Sequence, residues 1–240
     1  MPLRRPARLL ALAALAGAVG CDEESTLPAL RSFATAAVRV VNLLPSAPTA
    51  GLFAGGTALG GAVGFGAAGG ACLDVPVGEP LAFRAAGQAT DLATTTTTLD
   101  AGQRYTVVLY GTAAAPQVAV LSDAGAPSAA AGTNAIRVFN ATATSGDVWV
   151  TAAGAALAGA PTVAALAPGQ ATTGDAEFGR YPTASTQVRL FDVGATAGAA
   201  RATTTVAASA LSAGRAGTVF LTDATLAGGT NASVVAAPCP

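Results

Sequence analysis

Side chains able to act as nucleophiles, bases or metal ligands are few in this chain, and their types limit its chemistry. Among 240 residues there is no His, and all 12 basic residues are Arg, so Lys is missing as well. His is the usual proton shuttle near neutral pH and the commonest zinc ligand, and a serine nucleophile needs a base beside it. Only a serine with an acidic partner, or a pair of acids, remains. We therefore expect no enzyme, no cofactor and no metal.

Acidic residues are the remaining candidates for metal or acid–base chemistry. Asp147, Asp175, Glu177 and Asp192 are spread through predicted loops, and none repeats the spacing of a calcium-binding loop. A glycosidase needs two carboxylates on opposite sides of a cleft, which sequence spacing alone does not place. Short acidic side chains commonly cap turns, and we interpret these four in that way.

Aromatic residues are the candidates for stacking against a sugar ring. Trp149, Tyr110 and Tyr181 belong to this class. Trp149 aligns with Phe53 inside a predicted strand, so we expect it to pack in a core. Tyr181 precedes a proline in a predicted loop, and we expect it to be the most exposed of the three.

The N-terminus has the pattern of a secretory signal. Arg4, Arg5 and Arg8 precede an apolar run from Leu9 to Val19, which is too short to span a bilayer. The run ends in Ala-Val-Gly-Cys, with the cysteine at position 21. This ending resembles the lipobox of bacterial lipoproteins.

The lipobox resemblance implies that Cys21 becomes the lipidated first residue of the mature chain. Residues 1–20 would then be the signal peptide and residues 21–35 the acylated cysteine with its tether. It also implies export and anchoring to a bacterial membrane, on the periplasmic or the cell-surface face, with the membrane as partner through the N-terminal lipid. Ordinary signal cleavage near Ala16 or Ala18 is the alternative.

Two cysteines remain once Cys21 is acylated, namely Cys72 and Cys239. An even pair in an exported chain favours a disulfide. Such a bridge would close a loop of 167 residues (239 − 72), for which loop-closure entropy gives an ideal stabilisation of about 5 kcal/mol. The alternative is that Cys72 is a buried small apolar residue and Cys239 is a free thiol near the terminus.

The charge balance excludes a class of partners. Without the three arginines of the leader, 9 Arg stand against 13 acidic residues, which leaves a mature side-chain charge of −4 (9 − 13). We therefore expect no attraction to nucleic acid or to an anionic membrane surface.

Two phrases of the sequence occur twice in the same order. VRVVN at Val38 to Asn42 recurs as IRVFN at Ile136 to Asn140, and LDAGQRYTVVLYG from Leu99 recurs as LSAGRAGTVFLTD from Leu211. Apolar and polar residues alternate through them, as in strands with one buried face. Some seven short strands per repeat, without helical periodicity, predict an all-β fold of two tandem antiparallel β-sandwiches.

Turn and linker signals set the predicted boundaries. The first unit takes residues 36–123, the second takes residues 134–240, and the stretch AGAPSAAAGT at 124–133 has the composition of a flexible linker. Within the first unit, the Gly- and Ala-rich residues 58–73 predict loops with one short strand near Ala62 to Phe65. Thr94 to Leu99 predicts a further strand.

Four segments of the first unit carry a resemblance to a known family. VRVVNLLPSAP, GLFAGG, VPVG and LDAGQRYTVVLYG are similar to the bacterial surface domain of unknown function DUF4397. The second unit has Thr142 to Gly146 in place of the proline pair and is more divergent. The resemblance implies immunoglobulin-like sandwiches, often in tandem, and a location at the cell surface. No catalytic residues are established for that family, so it implies no chemistry.

Two classes of function follow from these predictions. The first is a non-enzymatic, lipid-anchored cell-envelope protein with a structural or adhesive role. The alternative is a module that binds a polysaccharide or small ligand, with an envelope glycan or a surface protein as partner. An exposed aromatic strip would favour the binding module, and bare faces of small residues would favour the structural role.

Overall fold

The computed structural model describes residues 34–126, 133–172, 178–182, 186–195, 198–206, 216–222 and 233–240. The leader 1–20, Cys21 and nearly all of the tether lie outside these ranges, as do residues 127–132 of the predicted linker. Asp175 and Glu177 also lie outside them. Within the described ranges there is no helix with the length and hydropathy needed to cross a membrane.

Regular structure in the described residues consists of β-strands. The first nine are β1 (Thr35–Asn42), β2 (Thr49–Ala54), β3 (Thr57–Gly64), β4 (Ala67–Ala68), β5 (Leu73–Pro76), β6 (Leu81–Ala85), β7 (Asp91–Thr95), β8 (Arg104–Gly111) and β9 (Pro116–Ser122). The others are β10 (Thr133–Asn140), β11 (Gly146–Ala152), β12 (Val163–Leu166), β13 (Gly179–Pro182), β14 (Thr186–Asp192), β15 (Ala202–Val206), β16 (Ala216–Leu221) and β17 (Ser233–Ala236).

These strands form four sheets in the described part of the chain. Sheet A has the order β4-β1-β8-β9, with β5 also paired to β1, and sheet B has the order β3-β2-β6-β7. Sheet C has the order β13-β10-β16-β17, and sheet D has the order β12-β11-β14-β15. The second half of the chain therefore repeats the pairing order of the first, with β10 in the place of β1 and β16 in the place of β8.

Most strand pairs are antiparallel, but β1 runs parallel to β8, and β10 runs parallel to β16. Ala37 of β1 lies opposite Arg104 of β8, and Ala135 of β10 lies opposite Ala216 of β16. A parallel pair needs a long crossover connection, which the intervening strands of sheets B and D supply. The predicted all-β, sandwich-like class is confirmed. The sheets are antiparallel except at these two pairs, and the immunoglobulin-like assignment stays a prediction.

Three apolar cores define the order of the layers. Val38 and Val40 of β1 pack between sheets A and B, while Ile136 and Val138 of β10 pack between sheets C and D. The third core lies between sheets A and C and contains Val41 and Phe139. Because side chains alternate along a strand, β1 and β10 each contribute to two cores. The sheets are stacked in the order B, A, C, D within one compact unit.

Two segments differ from the strands predicted for them. Residues 57–64 form the continuous strand β3, where the sequence predicts loops with a short strand, because backbone pairing with β2 does not require large side chains. Gly60 has a φ of +64° at the register shift in this pair, which is the conformation of a β-bulge. The threonine-rich strand β7 ends at Thr95, whose Oγ1 accepts a hydrogen bond from the Thr97 amide and turns the chain.

Candidate functional site

The contact between sheets A and C gathers most of the buried charge in the described residues. Alternation along β10 directs Ile136 and Val138 into the sandwich core, so Arg137 between them must face sheet A. The Arg137 side chain has no exposed surface. The repeated arginine of the two sequence phrases is therefore an interior residue of the second copy.

Arg137 pairs with Asp123, which follows strand β9. Its Nη2 lies 2.6 Å from Asp123 Oδ1, its Nη1 donates to the Ser122 carbonyl at 2.7 Å, and its Nε donates to Thr218 Oγ1 at 3.0 Å. Thr106 donates its hydroxyl to Asp123 Oδ2 at 2.7 Å. Burial raises the pKa of the Asp123 carboxyl, and Arg137 and Thr106 offset only part of that rise. Four strands from both repeats are thus joined through one buried ion pair.

The rest of the A–C contact is apolar and built from matching positions of the two repeats. Val41 and Phe139 hold the same place in their phrases, as do Val108 and Phe220, and all four lie in this core. The Phe139 ring meets Tyr110 edge-on, with centroids 5.3 Å apart and planes at 87°. The same face of each repeat makes the contact, as in an isologous dimer.

Tyr110 is the polar edge of this apolar contact. Its hydroxyl donates to Gln117 Oε1 at 2.7 Å, and burial raises its pKa. Gly169 passes so close that a Cβ on it would lie within 2.2 Å of the Tyr110 hydroxyl oxygen. Glycine is therefore required where this loop of the second repeat meets Tyr110 of the first.

The asparagine that ends each repeated phrase holds the following loop. Asn42 donates its amide to the carbonyls of Ala47 at 2.9 Å and Val63 at 3.1 Å, and its Oδ1 accepts from the Leu44 amide. Asn140 does the same in the second repeat, donating to the carbonyls of Thr144 and Leu166. Both side chains are fully buried. Each serves as a fixed turn anchor, and neither is available to a ligand.

Cys72 and Cys239 are joined in a disulfide with their Cα atoms 5.9 Å apart. The bridge connects the loop before β5 to the tail after β17. Arg39 Nη2 donates to Cys72 Sγ at 3.4 Å, and Arg104 Nη1 donates to the Cys239 carbonyl at 3.2 Å. Two arginines therefore flank the bridge.

Of the four acidic candidates, Asp147 and Asp192 lie in described residues, on the paired strands β11 and β14, and each has its own partners. Asp147 is buried, and its carboxylate accepts the backbone amides of Ala165 and Gly194, both at 2.7 Å. Ala165 has a φ of +50°, so this hydrogen bond helps hold a conformation that L-residues rarely adopt. Asp192 is exposed and lies 3.6 Å from Arg201 Nε. In the described ranges no three metal-ligating side chains form a group.

The three aromatic candidates, Trp149, Tyr110 and Tyr181, lie on different strands. Trp149 is 3% exposed, as expected, but it points away from the core that its neighbour Val148 enters. Tyr181 belongs to strand β13, so its placement in a loop is wrong, and burial raises its pKa. It is still partly exposed where Trp149 and Tyr110 are buried, so it is the most exposed of the three, as expected. Phe53 is half-buried on the outer face of sheet B, with the Arg84 guanidinium 4.3 Å above its ring.

Sequence reasoning missed Asp123 and the two asparagines. The signal for Asn42 and Asn140 was present, because a polar residue ends an otherwise apolar phrase in both repeats. Asp123 had no such signal, since it stands beside the predicted linker, where an acid is ordinarily solvated. Its role depends on Arg137, which only the folded chain places next to it.

Comparison with family models finds a match over residues 36–151 to a domain of unknown function, DUF4397. The matched range begins within β1 and ends within β11, so it spans sheets A and B, strand β10 of sheet C and most of strand β11 of sheet D. No curated protein matches the chain.

Proposed function

We propose, from the membership of residues 36–151 in the DUF4397 family, that the chain is a non-enzymatic protein of the bacterial envelope, anchored by a lipid on Cys21. In this proposal the four-layer stack is a rigid body with a structural or adhesive role, presented from the membrane by the tether. Units 36–123 and 134–240 remain the predicted domain boundaries.

The observation that supports the proposal is that the buried polar side chains bond to one another and to the backbone. Arg137 and Asp123 satisfy each other inside the A–C contact, and Asp147 is occupied by two backbone amides. The buried side-chain amides of Asn42 and Asn140 likewise donate to backbone carbonyls. Groups that an active site would direct at a substrate are here directed at the fold, and they rigidify it.

The surface supports the structural role over sugar binding. Val193 is the exposed large apolar residue among those the structure describes, and Trp149 and Tyr110 are buried. Phe53 is half-buried, flanked across the sheet by Ala58 and Ala82, and it carries Arg84 on one side. An aromatic strip of the kind that stacks on a polysaccharide is not formed by these residues.

Replacing Cys21 by Ser tests the anchor. Two acyl chains give stable membrane attachment, so we expect the wild-type chain in the membrane fraction and the variant in the soluble fraction. A chain with Cys72 and Cys239 both replaced by Ser is the matched control and should stay attached. Persistence of the Cys21→Ser chain on the membrane would contradict the proposal.

A glycan array tests the role itself. We expect the chain to bind no glycan above background, and Phe53→Ala to change nothing. Binding that is lost in Phe53→Ala would favour the polysaccharide-binding alternative over the structural one.

A further inference from the structure

Arg39 is a partly buried cation with no carboxylate partner among the residues that the structure describes. Its Nη1 donates to the Gly69 carbonyl at 2.7 Å, its Nη2 donates to Cys72 Sγ at 3.4 Å, and its Nε is buried without a hydrogen-bond partner. In the part of the chain that the structure describes, the arginines with a carboxylate partner are Arg84, Arg137 and Arg201. Sulfur in a disulfide is a weak acceptor, so the charge of Arg39 is incompletely compensated.

The equivalent arginine of the second repeat shows what is missing. Arg137 occupies the same place in its phrase and faces the same A–C contact, but it has Asp123 at 2.6 Å. In the first repeat, the atom beside the guanidinium is Sγ of Cys72. Burying a cation without an anion is unfavourable, and a thiolate at Cys72 would provide that anion.

We propose that the Cys72–Cys239 bridge is a reversible redox site, in which Arg39 holds the Cys72 thiolate of the reduced state. The reductant is a dithiol, such as the two-cysteine site of a thiol oxidoreductase. Cys72 is partly exposed and Cys239 is 2% exposed, so the incoming thiolate attacks Cys72 Sγ. A mixed disulfide forms at Cys72, and the Cys239 thiolate leaves and takes a proton.

The second thiol of the reductant then loses its proton and attacks the reductant's own sulfur in the mixed disulfide. The reductant leaves as a disulfide, and the Cys72 thiolate is released beside Arg39. Two thiols are oxidised, one disulfide is reduced, and one proton is set free. Stabilising the leaving thiolate accelerates this step. The product frees the tail after β17 from the loop before β5.

The test measures the reactivity of Cys72 in the full chain carrying Cys21→Ser and Cys239→Ala, where it is the remaining cysteine. Its rate of alkylation by iodoacetamide is measured at about pH 7, with the chain folded and again in denaturant. Partial burial alone would slow the folded reaction. We expect the folded rate to be about fivefold higher or more, because a free thiol is only a few per cent thiolate at this pH. An equal or lower folded rate overturns the proposal.

Substitutions identify Arg39 as the cause. Adding Arg39→Gln should remove the excess rate, and Arg39→Lys should restore much of it, because the charge returns. Arg104→Gln is the matched control, since Arg104 contacts the Cys239 carbonyl and not the sulfur. A rate that Arg39→Gln leaves unchanged, or that Arg104→Gln lowers equally, refutes the assignment.

A second measurement follows the equilibrium reduction of the Cys72–Cys239 bridge instead of a reaction rate. Four chains that carry Cys21→Ser are compared: one with no further change, and one each with Arg39→Lys, Arg39→Gln or Arg104→Gln. The dithiothreitol concentration at half-reduction should be lower for the chain with no further change than for Arg39→Lys, and lower for Arg104→Gln than for Arg39→Gln. Identical midpoints across the four chains would overturn the proposal. The outcome is independent of the lipid anchor, because Cys21 is replaced in every chain.

Discussion

Removing Arg137 should destabilise the chain more than removing any surface arginine. Arg137→Met takes away the 2.6 Å contact with Asp123 and the hydrogen bonds to Ser122 and Thr218, and it leaves the Asp123 carboxylate in a site without exposed surface. Breaking one partner of a buried ion pair typically costs about 3–5 kcal/mol. Urea unfolding of the full chain at neutral pH should show a loss of this size.

Arg84→Met is the matched control, because Arg84 pairs with Asp91 at 2.5 Å while their side chains are 22% and 38% exposed. An exposed pair contributes at most about 1 kcal/mol. The double variant Arg137→Met with Asp123→Asn removes the unpaired charge and should recover roughly 2 kcal/mol of the single loss. Equal costs for Arg137→Met and Arg84→Met, or strict additivity in the double variant, would refute the reasoning.

The cost of Arg137→Met should also depend on pH. Burial already raises the pKa of Asp123, and losing Arg137 raises it further. A carboxyl whose folded pKa exceeds its unfolded value stabilises the fold below the unfolded value, and this contribution is lost as pH rises through the folded value. The cost should therefore be smallest in acid and grow towards neutral pH. A cost that falls as pH rises would contradict this assignment.

Two further predictions concern single side chains. Asn42→Ala should lower the free energy of unfolding by roughly 2–4 kcal/mol, because it leaves the two buried carbonyls of Ala47 and Val63 without their donor. Asn140→Ala should cost about 1–3 kcal/mol, because the buried Leu166 carbonyl loses its donor while the Thr142 hydroxyl still donates to the Thr144 carbonyl. If Asn42→Asp, which cannot donate, is harmless in urea unfolding, the reasoning fails. Tyr110→Phe should cost about 1 kcal/mol at neutral pH through the lost hydrogen bond to Gln117. Because the raised pKa of Tyr110 gives stability that is lost above about pH 10, the variant should lose less stability than wild type on raising the pH, and equal alkaline losses would contradict that role.

Local patterns were sufficient for the strands and for their repetition. Alternation in VRVVN and IRVFN assigns β1 and β10 because the side-chain period of a strand is a property of a few adjacent residues. The strand at residues 57–64 is harder to predict, because small uncharged residues show little periodicity and the strand arises from pairing with β2. The strand that contains Tyr181 was missed for the same reason, because it arises from pairing with β10.

The cysteine pair shows where sequence reasoning stops. Counting cysteines favoured a bridge between Cys72 and Cys239, but sequence could not place their Cα atoms within reach, and the fold sets them 5.9 Å apart. The position of Arg39 beside that bridge had no sequence signal.

The sequence by itself determined an all-β chain built on two repeats of the same strand order. It also placed Arg39 and Arg137 on the face of their strands opposite to the apolar residues beside them. Only the tertiary structure decided what each arginine meets. Alternation specifies the face of a sheet, but the group that covers the face comes from residues far away in the chain. Stacking sheet C on sheet A brings Asp123 to Arg137, while the pairing of β5 with β1 brings Cys72, and with it the bridge to the C-terminal tail, to Arg39.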